Sequence, residues 1–200
     1  VAGGNGRGAG LSQLDRPLGV FVDEQGWIYV SDQGNHRVVR WIQGQGVGTV
    51  VAGGRGHGFN LNQLSSPHGI WVNGTGDVFV SDHGNHRVVK WIPGADTGSV
   101  VAGGNGPGSM PNQLNYPAGI CMNQAGELFV ADQYNHRVQR WSIGAPNGVT
   151  VAGGNGQGVR SNQLSHPWDV SVLGSGSVYI SDRGNHRVML WRTGSINGQV

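Results

Sequence analysis

The chain repeats itself every 50 residues, and that period restricts its folds more than any other feature. VAGGNGRGAGLSQLDRPLG at residue 1 returns as VAGGRGHGFNLNQLSSPHG at 51, VAGGNGPGSMPNQLNYPAG at 101 and VAGGNGQGVRSNQLSHPWD at 151. Without gaps, the four units agree at VAGG, Gly6, Gly8, Gln13, Leu14, Pro17, Gly26, Asp32, Asn35 to Val38, Trp41, Gly44 and Gly48. Self-similarity at this length marks one supersecondary unit, stacked so that neighbours bury the apolar face each cannot bury alone.

Each unit holds four strand-like runs. In the first they are GVFVD (19–23), WIYVSD (27–32), HRVVRWI (36–42) and GTVVAGG (48–54). Val20 with Val22, and Ile28 with Val30, alternate onto one side, and clusters of Gly, Asn, Asp and Pro separate the runs. No apolar period of 3.6 residues persists long enough for a helix. Four short antiparallel strands per 40 to 50 residues describe a propeller blade.

The segments DQGNHRV (32–38), DHGNHRV (82–88), DQYNHRV (132–138) and DRGNHRV (182–188), each preceded by a Pro-x-Gly-type strand and G-x-[VIL]-[YF]-V-type strand, resemble NHL repeats over the whole chain. The expected fold is therefore all-β: a β-propeller of four 50-residue, four-stranded antiparallel NHL-type blades in one domain, 1–200. GQV at 198–200 and VAGG at 1–4 together spell one complete strand, so the last strand is expected to be split between the two ends. A closed ring and a slice of a longer array both fit that division. The resemblance implies a module that binds protein or RNA; related lyases and lactone hydrolases place a metal at the propeller axis.

The Asp-x-x-Asn-His-Arg set recurs as Asp32, Asn35, His36, Arg37; Asp82, Asn85, His86, Arg87; Asp132, Asn135, His136, Arg137; and Asp182, Asn185, His186, Arg187. Asp and His at this spacing suit a metal ion. Every unit carries the set, however, so a structural turn is the expected role: Asp accepting from backbone N–H groups, Asn capping, and the Arg fork reaching the next blade's carbonyls or carboxylate. Gly34 and Gly84 are expected at positive φ in that turn.

The glycine stretch resembles a phosphate loop only superficially. It leads into Q-L-x-x-P and a strand, without the helix N-terminus or Lys that such loops use. Its expected role is to carry the chain between blades, with Leu14 pinning it.

The variable columns hold the candidate binding groups on the loops expected at the upper face: Arg7, Arg16, His57, His68, Tyr116, Arg160, His166, Trp168 and Arg183. No catalytic, cofactor or metal set stands out from the repeat. The balance of 13 Lys and Arg against 11 Asp and Glu gives a formal charge of +2, which is no polybasic footprint for nucleic acid. Cys121 is the one cysteine, which excludes an intrachain disulfide framework. No apolar run approaches the roughly 20 residues of a membrane span. Asn73-Gly74-Thr75 is an N-glycosylation sequon on the loop between first and second strands, which leans the localisation toward the extracellular side. The expected function is a non-enzymatic scaffold binding a protein partner or further copies of itself, with RNA and axial-metal catalysis as alternatives and no cofactor.

Overall fold

A computed structural model describes residues 1–174 and 176–200. The first repeat forms β1 (Pro17–Val22), β2 (Ile28–Asp32), β3 (Arg37–Trp41) and β4 (Thr49–Gly53). The second forms β5 (Pro67–Val72), β6 (Val78–Asp82), β7 (Arg87–Trp91) and β8 (Ser99–Gly103), and the third β9 (Pro117–Met122), β10 (Glu127–Asp132), β11 (Arg137–Ser142) and β12 (Val149–Gly153). The fourth forms β13 (Pro167–Val172), β14 (Val178–Asp182) and β15 (Arg187–Trp191). Neighbours in sequence are neighbours in each sheet, and the chain is all-β, with antiparallel sheets of the propeller-blade type. The fourth sheet has three strands, and beside β15 Gln199 exchanges both backbone hydrogen bonds with Leu190, at 2.7 and 2.9 Å, as an isolated bridge.

The chain divides into two compact units, Val1–Val100 and Val101–Val200, each built around two blades. In the first unit, the pleat turns Tyr29 and Val38 to one side, and with Ala52 they meet Leu64, Ile70, Val72, Val78, Val80 and Trp91 of the next blade. In the second, Phe129, Val138 and Ala152 meet Leu164, Val170, Val178, Ile180 and Trp191. Each joint is thus one apolar layer between two faces, at roughly 25 cal/mol per Å² removed from water. The Gly48 column follows from the tryptophans: its N–H donates to the Leu11 carbonyl at 2.8 Å, and a Cβ there would stand 2.7 Å from Trp41 Cε2.

Leu64, Leu114 and Leu164 are wholly buried under the glycine-rich connections, as pins, whereas Leu14 is only half-buried. Leu164→Ala should therefore cost about 2–5 kcal/mol in urea unfolding. Leu14→Ala, which empties a less enclosed site, should cost clearly less.

Candidate functional site

Each blade ends its second strand on an Asp that is entirely buried and fully used. Asp32 Oδ1 accepts the Asp15 backbone N–H at 2.7 Å, while Oδ2 accepts Asn35 Nδ2 and Arg37 Nε, both at 2.8 Å. Arg37 then spreads its fork over the glycine-rich connection, donating from Nη1 to the Ala9 carbonyl at 2.7 Å and from Nη2 to Gly10 at 2.9 Å and Gln13 at 3.3 Å. Asn35 Nδ2 also reaches the Gly8 carbonyl at 2.8 Å. The carboxylate's bonds recur at Asp82, Asp132 and Asp182; the forks of Arg137 and Arg187 repeat all three carbonyl contacts, and Arg87 repeats the two from Nη2. The carbonyls received by the fork belong to the connection entering the same repeat, not to the following one.

This arrangement explains why the connection is no anion cradle. Its carbonyls converge on guanidinium and amide donors, while Gln13 closes it by donating to the Asn5 carbonyl at 2.9 Å and accepting from Gly10 N–H at 3.2 Å. Burial raises the Asp82 and Asp132 carboxyls above the ordinary range, against the pull of their Asn, Arg and backbone N–H donors.

The turn between second and third strands is a 3-10 turn whose left-handed residue is the histidine. His36, His86, His136 and His186 have φ of 53, 55, 52 and 53°, and each backbone N–H closes onto the carbonyl three residues back. Gly34, expected at positive φ, is fixed instead by close approach: a Cβ would stand 2.5 Å from Asp15 Cγ. The left-handed backbone aims the imidazole across to the neighbouring blade. Ser66 N–H donates to His36 Nδ1 at 3.1 Å, and His166 N–H to His136 Nδ1 at 3.2 Å. An accepting Nδ1 requires neutral histidine protonated on Nε2. Burial, first of all, lowers both pKa values. His57 and Arg16 lower His36 further while Asp82 and Asp32 oppose; His166 lowers His136 further while Asp182 opposes.

The connection and the turn lie together at the upper end of each sheet. In the first unit Arg7 pairs with Asp15 at 2.9 Å and Arg16 stands 3.7 Å from the same carboxylate. His57 meets Ser65 Oγ at 3.0 Å and packs edge-on to His36, while His68 is buried and stacks on His83. In the second unit the rings of Tyr116, Tyr134, His166 and His136 follow one another at centroid distances of 5.0, 5.3 and 4.6 Å. Arg183 lies 4.4 Å over Trp168, and the Arg160 carbonyl accepts from Arg187. Among the described residues, no three His, Cys, Asp or Glu side chains converge as a metal site, and no helix is long and apolar enough to cross a membrane.

Three features lay beyond the sequence reading. Asp169 replaces the glycine of the other three repeats. Although the residue as a whole is exposed, its carboxyl is tucked against Gly119, and that burial raises its pKa; the broken glycine column was the available signal. Asn73 accepts from Thr75 Oγ1 at 2.7 Å and Asp77 N–H at 2.7 Å, and its amide donates to Asp77, so the sequon asparagine organises its own loop. At the lower end of the first unit a cleft of about 900 Å³ is lined by Asp23, Trp27, Tyr29, Arg40 and Trp91, with Arg40 4.3 Å over Trp27. There the Tyr29 hydroxyl has a raised pKa, through burial and then Asp23.

The NHL repeat profile matches residues 64–91, 114–141 and 164–188. Three of the four units thus carry NHL repeats, and the first unit holds the same columns. No curated protein sequence matches the chain. Solved structures with this fold include a gluconolactonase from Xanthomonas campestris, 14% identical with a TM-score of 0.70 over 95% of this chain and 62% of that one. Others are an auxiliary nutrient binding protein from Bacteroides thetaiotaomicron (16%, 0.64, 85% and 46%) and a streptogramin B lyase (15%, 0.55, 88% and 51%). The chain thus spans 46–62% of the length of these proteins, and the likeness is one of fold.

Two outcomes follow from the electrostatics. Because His36 and His136 have lowered folded pKa values, their contribution is complete above the ordinary value of about 6.5 and is lost as pH falls through the folded values. Thermal midpoints should therefore drop below about pH 6.5 in the wild type, and the drop should shrink in His36→Gln/His136→Gln. Burial pushes the Cys121 thiol up to about 12. At pH 8 about one part in ten thousand is thiolate, so Ellman's reagent should label the native chain roughly a thousandfold more slowly than the unfolded one.

Proposed function

We propose that the chain is a non-enzymatic scaffold for protein interaction or self-assembly, binding through its upper loops. One observation carries this: the repeated polar groups are consumed in holding the loops, so Arg, His and aromatic groups of the variable columns are displayed on rigid backbone. Arg7 and Arg16 share the Asp15 carboxylate and the whole chain carries a formal charge of only +2, a small attraction for a phosphate backbone that favours a protein over RNA. The ring series Tyr116, Tyr134 and His166 offers the rigid, amphipathic area that anchors peptide contacts.

Selection of a displayed random-peptide library on the folded chain should yield binders that weaken about tenfold or more in Tyr116→Ala/Trp168→Ala/Arg183→Ala, a loss of about 1.4 kcal/mol. Glu24→Ala, at the lower end of the first blade, should leave them unchanged. If no peptide is selected while single-stranded RNA binds with steep salt dependence, the RNA alternative replaces this reading.

A further inference from the structure

Two repeats carry a small polar set at the lower end of their sheets. In the second, Asn73 donates its amide to Asp77 at 3.1 Å, and Lys90 pairs with the same carboxylate at 3.5 Å. In the third, Asn123 donates to Glu127 at 2.8 Å, and Arg140 pairs with it at 3.4 Å. The fourth repeat drops the set whole, acid and base together, with Leu173, Ser177 and Leu190 in the three columns.

The first repeat drops the acid and keeps the base. Trp27 stands in the column of Asp77 and Glu127, while Arg40 stays in that of Lys90 and Arg140. The nearby Asp23 does not replace the lost carboxylate. Its Oδ1 accepts the backbone N–H groups of Gln25 and Trp27 at 3.1 and 2.8 Å, and its Oδ2 accepts the Tyr29 hydroxyl at 3.1 Å. Among the described residues no carboxylate stands within ion-pair distance of Arg40, and its Nε is buried without an acceptor. A cationic donor taken from water and left unmatched is costly. Arg40 lies instead 4.3 Å over the Trp27 ring. Contact with a ring occupies the face of a guanidinium and leaves its in-plane donors for an acceptor, and a carboxylate matches that planar fork. Its other neighbour is the Tyr29 hydroxyl, whose pKa Arg40 lowers against the larger effects of burial and Asp23.

These side chains line the cleft of about 900 Å³ within the first unit, together with Val50, Trp91, Ile92 and Pro93. Its further charged groups, Arg55 and Asp96, are both exposed. A cleft of this size with an apolar wall and one unmatched polar group is the usual form of a small-molecule site.

We propose that this cleft binds a small organic carboxylate with an apolar body, the carboxylate seated on the edge of Arg40 and the body against Trp27, Val50 and Ile92. The ligand supplies to Arg40 the group that Asp77 and Glu127 supply to Lys90 and Arg140. Loss of acid and base together in the fourth repeat shows that the fold tolerates an empty set, so the base kept in the first is explained by an acceptor from outside the chain. The site lies at the opposite end of the sheet from the upper loops and does not rest on the scaffold reading.

Calorimetric titration and amide chemical shifts test it on the folded chain. The probes are benzoate, hydrocinnamate and indoleacetate, each beside its primary amide, with inorganic phosphate as the control anion. At least one acid should bind, with shifts centred on Trp27 and Arg40, and its amide should bind about tenfold more weakly or worse. Trp27→Glu returns the acid of the third repeat to Arg40, and Arg40→Leu installs the residue of the fourth. Each, checked for native circular dichroism and melting, should weaken binding about tenfold or more, and either one suffices if the other fails to fold. Arg140→Leu, the same change beside an internal acid, should bind as the wild type does. The triple loop variant should also bind the acids unchanged, which separates this site from peptide binding. Failure of all three acids to bind overturns the proposal. So does an amide that binds as well as its acid, phosphate that competes equally, or binding that survives Trp27→Glu.

Discussion

The upper end of every blade depends on one buried ion pair. A carboxylate removed from water costs several kcal/mol unless its lone pairs are filled, and an Asp–Arg contact alone rarely recovers that. Here the Asp also accepts a backbone N–H and an Asn amide, and the Arg spends its remaining donors on carbonyls of a connection with no regular structure of its own. The pair therefore acts as the staple that gives a glycine-rich segment one conformation. Glycine makes the segment able to run close beneath Gln13; the Arg fork decides where it runs.

A second constraint follows from the first. Once Asp32 and Arg37 fix the ends of the turn, His36 is the residue left to close it in the left-handed region, which is uncommon for a side chain with a Cβ. The cost is offset because that backbone places Nδ1 against the N–H of the neighbouring blade. The partner, Ser66 or His166, is left-handed as well, so both sides of the bond are strained conformers that hold one another. Neutral imidazole is required, which makes this joint the part of the fold most sensitive to mild acid.

Much of this was legible in the sequence because repetition separates what every unit needs from what each can vary. The strand runs placed β1 to β4 within a residue or two, since alternation and Gly/Asp punctuation report the pleat directly. The role of Gly34 was misplaced because glycine has two uses, positive φ and close approach, and a sequence does not distinguish them; Tyr134 at the same column was the hint that φ there is ordinary. The direction of Arg37 was misassigned for a related reason. A fork that reaches carbonyls can be read from the residue type, but which carbonyls depends on how the connection, such as that between Gly53 and Pro67, folds back. The burial of His68 could not be read, because its column also holds Leu18, Ala118 and Trp168, and a column that varies does not report what covers it.

The joint also explains why the loop surface is free to diverge. What crosses from one blade to the next within each unit is a main-chain N–H, so the residue that carries it can be Ser66 or His166 without altering the bond. The backbone at that position is fixed by the bond, while the side chain it carries differs between the two units. Stability is thus carried largely by columns that do not vary, and the proposed scaffold function assigns recognition to the columns that do. On the scaffold function proposed above, a repeat organised in this way can change its partner without renegotiating its fold, and the variable side chains, not the motif that identifies the repeat, are then the groups whose substitution tests what this chain binds.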